Sequence, residues 1–111
     1  MFRTKVADLP FRGTSHRFVG EDCGGVNACA YLVNAPPGRG PVLHRHPYDK
    51  IAFVQGGAAR WTVDGNEFVV EAGEILVVKA GEAHKFVSVG DGPLVQLDIH
   101  LGSRFEQEDL E

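Results

Sequence analysis

The chain has only two cysteines, Cys23 and Cys29. That is too few for a disulfide framework, and their spacing is not that of a zinc ribbon. They read as reduced thiols of a cytoplasmic protein. No apolar run approaches the ~20 residues of a membrane span. The opening Met1-Phe2-Arg3-Thr4-Lys5 has no apolar h-region of a secretory leader, so no membrane partner is expected. Clustered basic charge is also missing. Eleven Lys and Arg stand against fifteen Asp and Glu, for a net charge of −4, and the cations are scattered singly. A nucleic-acid partner would want a basic face, and none is expected here. There is no repeat of solenoid length and no low-complexity segment. Helical periodicity is scarce, and only the tail from Ser103 onward could hold a helical turn.

What the chain does have is punctuation. Fourteen glycines and six prolines recur at short intervals, with runs rich in Val, Ile, Phe and Tyr between them. Such a pattern predicts many short strands joined by tight turns. Strands are expected near Lys5–Ala7, Arg17–Val19, Val26–Asn34, Val42–His46, Ile51–Gln55, Ala59–Val63, Glu67–Glu71, Ile75–Val78, His84–Val89 and Leu94–His100. Asp64-Gly65 marks the clearest hairpin, because a two-residue primed turn needs positive φ at both central positions. Ten short strands and no long helix predict an all-β sandwich or barrel in one domain, residues 1–111.

The strongest chemical signal is His44-Arg45-His46. Residues two apart on a strand share a face, so both imidazoles can reach one point. Alone, a His-x-His pair is more often two ordinary histidines than a metal site. Its surroundings are more specific. Gly38, five residues, His44, one residue, His46, then a strand ending in Gly56-Gly57 form one motif, over about 38–57. Gly73, five residues to Lys79, then Gly81, two residues and His84 form a second, over about 73–88. In that order and separation the two motifs resemble those of the cupin superfamily, and the chain looks like a small bacterial single-domain cupin. The end of the chain, Asp98-Ile99-His100-Leu101-Gly102-Ser103-Arg104-Phe105, is similar to that of many such proteins.

The resemblance implies a double-stranded β-helix, a jelly-roll-like barrel. It also implies that His84 faces His44 and His46 across the interior, the three holding a divalent ion (Fe, Mn, Ni, Zn or Cu). Cupins usually add a glutamate separated from His-x-His by three or four intervening residues. Here those positions are Lys50 and Ile51. Asp49 is a carboxylate, but on a regular strand it points to the opposite face. In the second motif Lys79 stands where proline is usual and Ser88 where asparagine is usual. A lysine ammonium ~5 Å from a divalent ion would cost about 6–7 kcal/mol at an effective dielectric of ~20. Three accommodations are open: Lys50 snorkels to the barrel mouth, it sits inside and deprotonates, or the site holds no metal.

Further pocket candidates lie on the last strand. Gln96, Asp98 and His100 share one face, while Val95, Leu97 and Ile99 share the other. If the polar face looks inward, the pocket gains an imidazole and a carboxylate. The commoner arrangement puts it in solvent. Trp61 is expected in the core or the pocket wall, and His16 in a loop.

Three functions follow from the resemblance. One is a metal-dependent enzyme acting on a small anionic or chelating metabolite, with dioxygenase chemistry the most concrete form, since three-histidine iron cupins include dioxygenases of diketones and thiols. Another is a non-enzymatic binding or sensing module for a small molecule. The third is a metal-free isomerase or epimerase of the sugar type, with a pocket histidine as base. The resemblance also implies a homodimer, in which the Phe2–Leu9 segment adds to a neighbour's exposed sheet edge.

Overall fold

A computed structural model describes residues 1–111. Eleven strands, all paired antiparallel, form two sheets. They are β1 (Phe11–Arg12), β2 (Ser15–Phe18), β3 (Cys29–Ala35), β4 (His44–Arg45), β5 (Lys50–Gly56), β6 (Ala58–Val63), β7 (Asn66–Glu71), β8 (Ile75–Val78), β9 (His84–Val89), β10 (Leu94–His100) and β11 (Glu108–Asp109). One sheet runs β1-β2-β3-β10-β5-β8 and the other β11-β4-β9-β6-β7. Consecutive strands β3, β4 and β5 alternate between the sheets, which is the jelly-roll arrangement expected for a cupin.

The sheets pack face to face. Their shared core takes Val33, Ala35, Ala52, Val54, Val78 and Leu94 from the first sheet, and Ala59, Trp61, Val70 and Phe86 from the second. Between β6 and β7, Asp64 and Gly65 both have positive φ, at 46° and 84°, as the primed turn requires. Gly40 meets a different demand. A Cβ there would lie 1.9 Å from the Phe86 carbonyl oxygen, so only glycine lets the segment before β4 lie against β9.

Three expectations fail at the ends of the chain. Val6–Asp8 forms a single 3-10 turn with no buried residue, where a strand was expected. It buries nothing against a sheet, and its backbone closes on itself, with Asp8 N–H bonded to the Lys5 carbonyl and Leu9 N–H to the Val6 carbonyl. Phe11–Arg12 pairs with β2 instead. That places His16 on a strand, edge-on to the Phe11 ring at 4.9 Å, and not in a loop. The tail holds no helical turn. Glu108–Asp109 adds as an edge strand to β4, with Arg45 and Glu108 joined by a 2.8 Å ion pair.

Candidate metal centre

His44 and His84 are direct cross-strand partners on β4 and β9. Opposed residues on paired strands bring their Cβ atoms within about 4.5–5.5 Å. His46 follows β4 two residues on, on the same side, with its ring 4.8 Å from that of His44. Ligand nitrogens of His44, His46 and His84 lie within 4.8 Å of one another, and all three residues are buried.

The outer nitrogen of each ring is held by the backbone. His44 Nδ1 lies 2.6 Å from the Val42 carbonyl, His84 Nδ1 2.8 Å from the Glu82 carbonyl, and His46 Nδ1 2.8 Å from the Glu106 carbonyl. A carbonyl can only accept, so each Nδ1 carries the proton and each Nε2 offers a lone pair. The Nε2 atoms of His46 and His84 are buried without any protein partner. Burial is the main cause that lowers the basicity of these rings. His46 falls to about 4 and His84 to about 3, with Lys50's charge adding to both, and His44 is lowered as well. Three neutral imidazoles with converging lone pairs are the donor set of a divalent transition-metal ion. Carbonyl-held Nδ1 protons are the usual means of fixing such ligands in place. The residues present therefore fit a metal.

The position where cupins usually carry a glutamate holds Lys50, which is buried in an ion pair. Lys50 does not snorkel to the mouth: its side chain is 2% exposed, and so is that of Asp98, 3.2 Å from it. Gln96 Nε2 donates to the other Asp98 oxygen at 2.8 Å. The Lys50 ammonium also lies 5.2 Å from the Trp61 ring and 5.8 Å from that of Phe86. The pair is neutral overall, which removes most of the repulsion that a lone ammonium would exert on an ion. Asp49 stays outside. Its oxygens accept from the Lys79 ammonium at 2.6 Å and the Ala80 amide at 2.8 Å, so it anchors the turn before β9. Trp61 is fully buried core.

On β10 the polar face looks inward. Gln96, Asp98 and His100 are buried, whereas Val95, Leu97 and Ile99 are only partly so. His100 is not one of the three converging histidines. Its Nδ1 lies 2.8 Å from the Tyr48 hydroxyl, which also accepts from the Glu106 amide at 3.3 Å. Assigning hydrogens so that the phenol proton has an acceptor makes Tyr48 donate to Nδ1. His100 then carries its proton on Nε2, the opposite tautomer to the three ligand candidates, and this nitrogen too is buried and unpartnered. Burial holds His100 far below the usual imidazole range and pushes Tyr48 up to about 12.

Sequence reasoning passed over Tyr48. It continues the alternation of His44 and His46, and extending that alternation by one step would have found it. A cavity of about 220 Å³ opens beside the centre, with His44, Lys50, Asp98 and Phe86 among its lining residues and Arg12, Arg17 and Arg39 in its wall. These arginines carried no local signal, being scattered in sequence.

A profile of the cupin domain matches residues 31–100. No curated protein matches the chain significantly. Among solved structures, an arginine-to-alanine variant of Bacillus subtilis oxalate decarboxylase superposes with a TM-score of 0.79 at 27% identity. That match covers 91% of this chain and 29% of the other. A structure of the same enzyme studied for its Mn(II) centres gives 0.79 at 26% identity, over 92% of this chain and 29% of that one. The chain thus spans less than a third of the length of these structures. The matched domain contains both histidine motifs and every strand from β4 to β10, more than half of the sequence, and on that ground the chain belongs to the cupin family.

Proposed function

We propose that the chain holds one divalent metal ion on His44, His46 and His84 and uses it to bind and activate a small anionic, chelating metabolite. The observation that carries this reading is the hydrogen bonding of the three Nδ1 atoms to backbone carbonyls, which turns three neutral Nε2 lone pairs toward one point. A divalent ion there would act as a Lewis acid, polarising a coordinated oxygen and lowering the pKa of bound water. The chain's own groups do the rest. Lys50 supplies a fixed positive charge at the cavity, held by Asp98. Tyr48 orients His100, whose Nε2–H is a buried donor. With no carboxylate in the fourth position the ion keeps both its charges, which favours anionic and chelating ligands.

The reaction class favoured by the resemblance to three-histidine cupins is dioxygen-dependent cleavage of such a ligand. A second reading, carboxylate lyase chemistry, draws support from the cationic cavity wall and from the likeness to oxalate decarboxylase.

The test begins with elemental analysis of protein purified without a histidine tag, followed by a Zn(II) titration of chelated protein. Wild type is expected to bind one equivalent, His84→Ala to lose it, and Asp49→Ala to keep it. Zinc uptake that survives His84→Ala would overturn the assignment. With the ion in place, dioxygen uptake on adding a β-diketone or a thiol acid would support the oxidative reading. Carbon dioxide release from a dicarboxylate without dioxygen uptake would support the lyase.

A further inference from the structure

The cavity beside the metal centre has a second, chemically distinct end. Its lining contains four cations, Arg12, Arg17, Arg39 and Lys50, and a single carboxylate, Asp98. That carboxylate is already engaged by Lys50 and Gln96. None of the three arginines has a carboxylate partner, although Arg45 and Arg104 each pair with a glutamate. Arg17 is the most constrained. Its guanidinium lies 5.0 Å from the Tyr31 ring, and its Nε is buried without a hydrogen-bond partner. A buried guanidinium N–H left unpaired is costly, and a planar donor array of this kind matches the two oxygens of a carboxylate.

Two of the three arginines, Arg12 and Arg17, come from a part of the chain that the family match does not include. Arg12, Gly13, Thr14, Ser15 and Arg17 belong to β1, β2 and the turn between them, ahead of residue 31 where the matched domain starts. The hairpin therefore contributes a wall of the cavity from outside the residues that the family profile matches.

We infer that the β1–β2 hairpin is a specificity element and that the cavity takes a two-headed dianion, a short dicarboxylate. One carboxylate lies at the Lys50 and metal end, and the other is gripped by Arg17 and Arg12. This inference rests on the proposed reading of the centre as a site for small anions, and it names the class of anion. A neutral or singly charged ligand would leave the arginine end unmatched. A compact dianion such as inorganic phosphate would engage one end only.

The experiment is calorimetric titration with succinate, butyrate and inorganic phosphate. Each is run on chelated protein and on protein loaded with Zn(II), for wild type, Arg17→Gln and Arg12→Gln. Arg12 is solvent-exposed, so its variant keeps the test sound should Arg17→Gln disturb packing on Tyr31. Wild type is expected to prefer succinate over butyrate by roughly tenfold or more, the scale of one added charge-assisted pair. Each variant is expected to shrink that ratio by weakening succinate more than butyrate. Unaltered ratios in both variants, or phosphate binding as tightly as succinate, would overturn the inference. Chelated protein keeps the two proposals separate. A centre that binds no zinc refutes the metal reading, while the arginine-dependent preference is still read from metal-free samples.

Discussion

The two ends of the interior share strands β5 and β10 but obey different physics. At one end, Ala35, Val54, Ala59, Val70 and Leu94 meet in an apolar layer. At the other, His44, His46, His84, His100, Lys50 and Asp98 are almost equally shielded from water. The change occurs within single strands. Along β10 the inward residues run Leu94, Gln96, Asp98, His100, and along β5 they run from Lys50 through Ala52 to Val54. Burial is thus constant along the interior, while what satisfies it changes. The apolar end needs only shape, whereas the polar end needs each charge and each ring proton to have a partner. The unpartnered Nε2 atoms of His46, His84 and His100 all lie at the polar end, where a ligand can complete them.

Acid should separate the ends most strongly. His44, His46 and His84 are less basic in the folded protein than the ~6.5 of a free imidazole, so the unfolded chain takes up protons first as the pH drops. Stability of the metal-free protein is then fully present above about pH 6.5. It is lost progressively as the pH falls through the folded values of about 4 for His46 and about 3 for His84. Urea unfolding of chelated protein from about pH 7 down to 4 checks this, and a flat stability profile would contradict it.

Next in size is the ion pair. Asp98→Leu leaves the Lys50 ammonium buried and alone, and breaking such a pair from one side costs about 3–5 kcal/mol. Adding Lys50→Met to that change should recover most of the loss, because an apolar replacement of both partners is often neutral or better. Denaturant unfolding of both variants decides it. A double variant as unstable as the single one would mean that the cost lies in packing, making this end resemble the other.

Lys50→Glu gives the smallest effect on binding free energy and sharpens the comparison furthest. It removes a positive charge beside the histidines and sets a second carboxylate next to Asp98. Zinc affinity should rise about ten- to a hundredfold, or roughly 1–3 kcal/mol after screening and rearrangement. The metal-free variant should be less stable than wild type, since two buried carboxylates repel. Equal zinc affinities would place the Lys50 charge too far from the ion to matter.

The sequence by itself determined the parts of this protein that depend on local spacing. Strand alternation put His44 and His46 on one face. Asp64-Gly65 set its hairpin through backbone sterics alone, and the short apolar runs between glycines and prolines marked nearly every central strand. Local spacing says nothing of which face of a strand looks inward when one face is polar and the other apolar. By hydrophobic pattern, Val95, Leu97 and Ile99 had the better claim to the core, yet Gln96, Asp98 and His100 occupy it. Only the tertiary structure could decide that, because the stabilising partners of Asp98 and His100 come from elsewhere in the chain. Lys50 lies on β5 and Tyr48 in the loop before it, and both are dozens of residues from Asp98 and His100. The same holds for Arg12, Arg17 and Arg39, which form one cavity wall only after β1 and β2 fold against β3. A side chain's own type sets what it needs when buried. Whether that need is met depends on groups that the fold alone brings within reach.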